Sequence, residues 1–587
     1  MYTKLVLAIL LISFSFKSNF AQKQNEVSNP NSPSETYLFD FNDFRIPIDN
    51  RGIIADVYIG PIGAGGFFDG HLVLFSAGFF LSGYEDLNND NDFTRNELWG
   101  NGVMSASRII DYNPGPVGSD SGDVKNRIYQ VGILDTPFGN NWIDYKTAVE
   151  LGADFYDGDG DGIYNPVDLN NNGKWDENED RPLMNGVETA WTVFNDNVPI
   201  EDRRYLVTPK GIEVHQTVWG YNIPGSGSHF AKNTIFIKYK IINTGTVADT
   251  LHEVAFTSVM DADIGEYDND LAGSDILRNA GYVYNSGDDS EFGLNAPALF
   301  SALLQGPAVS IPGETFIDVN NNSMFDNGID TPLDSAKIFI DELLGSIYKP
   351  GYKNLGMTSM TQYMQSHPVI GDPDEVARLR GYMLGDAVDN ISTWSFGNGA
   401  SLGADTVNIP KQFMYSGYPE NGTGWLNTYP MDQRTMVNSG IFDLVINEPQ
   451  EIIVAYVVGR SSSPILSVTN ARANLDNVIE LYNNDFKMDL VSVDDELTQP
   501  NDFELEQNYP NPFNPTTTIQ FSINQKEFVS LKVYDVLGKE VAQLINEDKE
   551  PGRHTVRFNG SNLSSGVYTY QLSAGNNLLT KKMMLIK

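Results

Sequence analysis

Ile235-Phe-Ile-Lys-Tyr-Lys-Ile241 decides the fold class. Ile235, Ile237, Tyr239 and Ile241 alternate with Phe236, Lys238 and Lys240. A period of two puts one set on a buried sheet face and the other on the opposite face, so the segment reads as a half-buried strand. The run before it has the same pattern, with Ile212, Val214 and Val218 alternating with Glu213, His215 and Thr217. Asn243-Thr-Gly-Thr246 then turns the chain into a third strand, Leu251 to Met260. Much later, Glu451-Ile-Ile-Val-Ala-Tyr-Val-Val458 is almost wholly apolar, the pattern of a central strand covered on both faces. These four strands predict an antiparallel β-sandwich, and the expected fold class is mainly β.

Outward from this centre the chain is a series of short β-like runs, such as His71-Leu-Val-Leu-Phe-Ser76, split by Gly, Asn and Asp. A partly helical insertion is expected at about 307–439. Its best helix is Asp374 to Met383, with Pro373 at the start and Asp374 and Glu375 in the first turn. A second helix is expected from Ser467 to about Tyr482. Asp485 to Asp502 is polar and acidic and reads as a linker.

Composition narrows the function. The 587 residues include 77 acidic and 38 basic ones, a formal net charge of -39. Such a surface repels nucleic acid and anionic lipid and attracts divalent cations. There are no cysteines, which excludes disulfide staples, thiolate catalysis and cysteine-ligated zinc. Lys4, the apolar run Leu5 to Phe16 and the small residue Ala21 before Gln22 predict a cleavable signal peptide. No later stretch has the roughly 18 apolar residues of a membrane span, so no transmembrane segment is expected.

The strongest chemical signal is Asp157-Gly-Asp-Gly-Asp-Gly-Ile-Tyr-Asn-Pro-Val-Asp168. Calcium takes about six to eight oxygens at about 2.3–2.6 Å. Asp157, Asp159 and Asp161 stand at loop positions one, three and five, and Gly162 at the sharp turn. Ile163 offers a carbonyl, and Asp168 stands at position twelve. The spacing resembles the calcium loops of EF-hand and dockerin modules, although Pro166 opposes an immediate exiting helix. A second loop starts where the first ends: Asp168, Asn170, Asn172, the Lys174 carbonyl and Glu179. This end-to-end arrangement resembles thrombospondin type 3 repeats without their cysteines. Asp318, Asn320 and Asn322 repeat the second loop, with Ser323 at the turn and Asp330 expected to close it. Asp86, Asn88, Asp90 and Glu97 form a further candidate. Asp261 and Asp263, directly after a strand, begin an acidic cluster that lacks the loop pattern. Asp, Asn and Gly also simply make good turns. The expectation is calcium (Ca²⁺) as the cofactor that takes the place of disulfides.

No catalytic motif matches this evidence in strength. Six histidines are present and no HExxH occurs. Gly399-Ala-Ser-Leu-Gly403 fits the nucleophile-elbow pattern formally but reads as a loop. Phosphate-binding glycine loops are absent. Trp99, Trp142, Trp191 and Trp219 read as core residues before they read as sugar platforms.

The last stretch carries Asn508-Tyr-Pro-Asn-Pro-Phe-Asn-Pro-Thr516, Val533-Tyr-Asp-Val-Leu-Gly-Lys-Glu-Val541, Ser564-Ser-Gly-Val-Tyr-Thr-Tyr570 and a basic end, Lys581 to Lys587. From about Phe503 to Lys587 it resembles the type A C-terminal sorting domain of the bacterial type IX secretion system. Val529, Leu531 and Val533 share one strand face, and five to seven short strands imply a small immunoglobulin-like sandwich. The resemblance implies export to the cell surface or medium of a Gram-negative cell and the outer-membrane secretion machinery as a partner. Cargo of that family is released or joined to lipopolysaccharide, so surface lipopolysaccharide or an extracellular glycan are the further partners to consider. Phe39 to Arg460 also resembles large secreted cargo proteins of unassigned activity.

The domain reading is a signal peptide at 1–21, a lead-in at 22–35, a β-rich region with calcium loops at 36–200, a sandwich region at 201–484, a linker at 485–502 and the sorting domain at 503–587. The functional expectation is a calcium-stabilised β-protein of adhesive or structural type, read as a non-enzyme. A secreted hydrolase of polysaccharide or peptide and a carbohydrate-binding protein stand as alternatives.

Overall fold

Thr234–Asn243 forms a ten-residue strand with Ile212–Gly220 on one side and Gln450–Gly459 on the other, both antiparallel. These are the middle of a nine-stranded sheet. Beyond Gln450–Gly459 come Ala298–Gln305, Ala280–Asn285 and the edge strand Asp270–Asp275; beyond Ile212–Gly220 come Glu188–Asn195 and its partners Asn113–Pro114 and Tyr129–Gly132. Thr250–Asp261 belongs to a second, six-stranded sheet, between Ser76–Tyr84 and Gln433–Ser439. Leu98–Gly102, Met357–Met364 and Phe442–Val445 complete it.

The computed structural model describes residues 36–40, 42–59, 64–88, 90, 92–104, 111–221, 230–365, 367, 370–386, 399–402, 412–488, 503–505, 507–508, 511, 513, 515–523, 526–549, 552–561, 563–575 and 577–586. The expected signal peptide, the lead-in, most of the linker, Asn89, Asn91, His229 and Gly403 lie outside these residues. The chain divides into two compact units, Met1–Lys487 and Met488–Lys587.

In the first unit the two sheets pack face to face. Ile235, Ile237, Tyr239 and Ile241 are at most 1% exposed and meet Phe79, Leu81, Val254 and Phe256 of the smaller sheet in one core. The Phe79 ring lies 5.0 Å from Tyr239 and 6.0 Å from Phe256. Burying each such side chain stabilises by about 1.5–3 kcal/mol, which is why the alternation holds this register. Strands from 36–200 and from 201–484 interleave in both sheets, and 307–439 supplies Met357–Met364 and Gln433–Ser439 to the smaller one.

The outer faces are covered as well, so the central strands are not half-buried. Phe236 is fully buried against Trp219 and Phe486, and Lys238 is only 7% exposed. Lys238 keeps its charge satisfied through Glu451 at 3.5 Å and the carbonyl of Ile340 at 3.0 Å. Phe486 follows a helix and Ile340 stands in the strand Ser335–Asp341, and helices add to this cover. Pro464–Asn483 is capped by Ser463, whose hydroxyl accepts from Leu466 N–H, and it seats Asn474 on the Val458 carbonyl. Val376–Leu384 lies on the smaller sheet, burying Leu379, Tyr382 and Met383 against Phe80, Val259 and Met436. The third, Asn140–Glu150, has no sequence-level expectation. Its N-cap is Gly139 with no side-chain cap, and no acid stands in its first turn, so the usual start signals are missing. Burial of Trp142, Tyr145 and Ala148 against Trp191 and Val193 holds it instead.

The second unit is a small sandwich of a three-stranded and a four-stranded antiparallel sheet, with no helix among its described residues. Val529, Leu531 and Val533 are fully buried at its centre. Asn508, 1% exposed, donates its N–H to the Tyr570 hydroxyl at 2.7 Å and its Nδ2 to Thr517 at 2.9 Å. Phe513 is equally buried. Asn508 and Phe513 therefore tie the opening segment of this domain to its core.

Candidate metal centres

The loop from Asp168 to Glu179 shows how the acidic loops are built. The Asp168 carboxylate accepts the N–H of Asn172 at 3.1 Å and of Gly173 at 2.7 Å. The Asn172 N–H also reaches Asn170 Oδ1, and Lys174 N–H reaches Asn172 Oδ1. Asp176 Oδ2 takes Nδ2 of both Asn170 and Asn172, which turns their oxygens away from that crossbar. Glu179, 2% exposed, closes the loop by accepting the N–H of Leu169 at 2.7 Å and of Asp176 at 2.9 Å.

The Asp318 loop repeats this frame bond for bond. Asp318 accepts from Asn322 and Ser323, Asp326 Oδ2 takes Asn320 and Asn322, and Met324 N–H reaches Asn322 Oδ1. Asp330 closes it through Val319 N–H at 2.8 Å and Asp326 N–H at 2.7 Å. Asp is one methylene shorter than Glu, and it stands one residue later in the loop. Ser323 holds φ 62° where Gly173 holds φ 73°, so a left-handed residue is needed at this turn in both loops. The Asp86 loop is a third version. Asp90 N–H meets Asp86, Asp92 N–H meets Asp90, and buried Glu97 takes the N–H of Leu87 and of Thr94. The Thr94 hydroxyl adds a bond at 2.6 Å, and these Thr94 bonds hold the Glu97 carboxyl below its ordinary value.

The loop beginning at Asp157 differs in its closure. Asp157 accepts from Gly160 and Gly162, Asp159 from Asp161, and Asp161 from Ile163. The two bonds made elsewhere by the closing acid are made here by Asp180, to Gly158 N–H at 2.9 Å and Asn165 N–H at 2.8 Å. Asp168, expected at this position, has its carboxylate in the second loop. Asp157, Asp159 and Asp180 offer oxygens all within 4.8 Å of one another. The Asp161 N–H lowers the Asp159 carboxyl, but desolvation and the charges of Asp161, Asp180 and Asp157 outweigh it and leave it above the ordinary value. A cation between these oxygens would remove that repulsion. Both long loops are clipped at the base by two-residue ladders, Phe155–Tyr156 on Arg181–Pro182 and Phe316–Ile317 on Thr331–Pro332.

Asp261 and Asp263 lie elsewhere, and the structure adds Asp432 to them; oxygens of the three fall within 4.8 Å of one another. Burial, then the Asp432 charge, push the Asp263 carboxyl up to about 7 against the pull of Arg434. Asp180, Asp176, Asp326 and Asp432 are the residues that sequence reasoning missed. Asp180-Arg-Pro182 stands in register with Asp330-Thr-Pro332, a signal for Asp180. Asp432 is distant in sequence from Asp261 and carried none.

No described histidine sits in a nucleophilic arrangement. His215 is bonded to Glu213 at 2.8 Å, and His252 faces Asp443 and stacks on Phe93. Gly399–Leu402 is a strand paired with Gly424–Asn427 rather than a loop, which places Ser401 inside a ladder instead of at an elbow. Trp99, Trp142, Trp191 and Trp219 are all buried. A pocket is lined by Trp191, His215, Lys238 and Lys240.

Residues 507–587 match the family described as secretion system C-terminal sorting domain. The chain therefore carries a type IX sorting tail and is a secreted or cell-surface protein. No helix among the described residues is long and apolar enough to cross a membrane. No curated protein matches the chain. Among solved structures, a polysaccharide lyase aligns at 8% identity over 95% of this chain and 47% of its own, with a TM-score of 0.20. An Escherichia coli alpha-2-macroglobulin aligns at 9% identity over 95% and 29%, with a TM-score of 0.12. The chain spans less than half the length of either, and likeness at this level assigns neither fold nor activity.

Proposed function

We propose that the body of this exported chain is a calcium-stabilised β-protein of adhesive or structural type. The observation that carries the reading is the hydrogen-bond frame shared by the Asp86, Asp168 and Asp318 loops, with the Asp157–Asp180 variant beside them. In each, backbone N–H groups orient both oxygens of the closing carboxylate, and each of those oxygens keeps a further lone pair that a hard cation could take. Calcium would be held by Asp157, Asp159, Asp161 and Asp180, by Asp168, Asn170, Asn172 and Glu179, by Asp318, Asn320, Asn322 and Asp330, and by Asp86, Asn88, Asp90 and Glu97. It would close long loops in a chain without disulfides and offset part of a -39 charge. Lipopolysaccharide and extracellular glycan are the partners in this reading.

Retention of the purified full chain on immobilised lipopolysaccharide and extracellular polysaccharides, with and without calcium, tests it. Calcium-dependent retention without release of products supports the adhesive reading. Products released from glycans or peptides at catalytic protein concentrations would overturn it in favour of a hydrolase.

A further inference from the structure

Asp261 ends its strand in the smaller sheet, Asp263 follows two residues on, and Asp432 directly precedes the neighbouring strand Gln433–Ser439. Asp261 pairs in register with Arg434, whose Nε lies 3.0 Å from Asp261 Oδ2 and whose Nη1 lies 3.3 Å from Asp432 Oδ1. Ionised together, the three carboxylates and one guanidinium would leave two negative charges in a place where Asp261 is 2% exposed. Charges taken out of water need a counter-charge, and Arg434 supplies only one.

An independent observation comes from the other sheet. Asp270 opens the edge strand Asp270–Asp275 of the larger sheet and is fully buried. It is held between the two segments that carry the trio: its Oδ2 accepts from Ile264 N–H at 3.3 Å, and its carbonyl accepts from Met431 N–H at 3.1 Å and from Gln433 Nε2 at 2.6 Å. Its other oxygen, Oδ1, has no protein partner, and neither has Asp261 Oδ1. Buried carboxylate oxygens left in this state point to a ligand that the protein itself does not provide.

We propose that Asp261, Asp263 and Asp432, backed by Asp270, form a second kind of calcium site, buried at one end of the sandwich, that pins the two sheets together. Calcium bonds of about 2.4 Å allow ligand oxygens to stand up to about 4.8 Å apart, the span within which the three carboxylates lie. With Asp270 the site has four carboxylates against one guanidinium, and a divalent cation balances two of the three charges left when all are ionised, while Asp270 carries the linkage into the larger sheet. The site is separate from the exposed loops and does not depend on their reading.

The test measures calcium bound per full chain by elemental analysis after equilibration in millimolar calcium, together with melting temperature in calcium and in excess chelator. Asp432→Asn should bind one ion fewer than the parent chain. In chelator its melting temperature should equal or exceed the parent's, because one repelling charge is gone; in calcium it should fall below. Asp263→Asn serves as the second variant, since Asp263 makes no hydrogen bond among the described residues, and it should behave the same way. Repeating both in an Asp180→Asn background separates this site from the loops. Unchanged stoichiometry with an unchanged calcium-induced gain in melting temperature in both variants would overturn the proposal.

Discussion

Glu179 and Asp180, neighbours in the chain, hold two different loops shut. Glu179 takes Leu169 N–H and Asp176 N–H, and Asp180 takes Gly158 N–H and Asn165 N–H. Both are 2% exposed. In the single loop at Asp318 one acid, Asp330, does this task alone. The doubled loop thus needs two consecutive acids where the single loop needs one.

Separate variants should therefore separate the two sites. Asp180→Asn should remove about one calcium per chain and leave the Asp168 loop able to bind; Glu179→Gln should do the reverse. Calorimetric titration of each against the parent checks this. Parental stoichiometry in both variants would contradict the assignment of closing acids.

The turn positions should differ sharply in tolerance. A Cβ on Gly158 would stand 2.3 Å from the Glu179 carbonyl oxygen and 2.4 Å from its nitrogen. Backbone cannot yield as a flexible side chain can, so Gly158→Ala should destabilise by about 2–3 kcal/mol. Gly173 has open space around it, and Ser323 already occupies the equivalent left-handed position. Gly173→Ser should cost no more than about 1–2 kcal/mol. Thermal unfolding in saturating calcium measures both, and a Gly158→Ala chain as stable as its parent would refute the clash.

Acid sensitivity should trace in part to Asp289. Burial raises its carboxyl, but the N–H groups of Glu266, Phe292 and Glu291, each at 2.8 Å, outweigh that and hold it below the ordinary value. With a lowered folded value, its stabilisation is complete above the unfolded value of about 3.9 and is lost as pH falls through the folded value. Asp289→Asn should cost about 2 kcal/mol at neutral pH, and the gap from the parent should close below about pH 4. A gap that stays constant down to pH 2 would contradict the account.

The legibility of this chain follows from the range of each interaction. Alternation from Ile212 to Ile241 is a local pattern imposed by a single core, so the strands were readable. What covers their outer faces is not local: Phe486 on Trp219 and Ile340 over Lys238 join segments far apart in sequence. Lys238 therefore read as half-exposed. The helix Asn140–Glu150 was unreadable because packing, and not capping, holds it. The acidic loops themselves are readable from the spacing of their Asp, Asn and Gly residues. Asp180 lay one residue past a plausible end, and Asp432 is brought to Asp261 only by the pairing of two strands.

The most direct test of the central claim is the melting temperature of the full chain in excess chelator and in millimolar calcium. Each site with a dissociation constant near 10⁻⁴ M should add about 2 kcal/mol at about 2 mM free calcium. The account predicts that chelation lowers the melting temperature by many degrees and that added calcium restores it. Superimposable melting curves in the two conditions would contradict it.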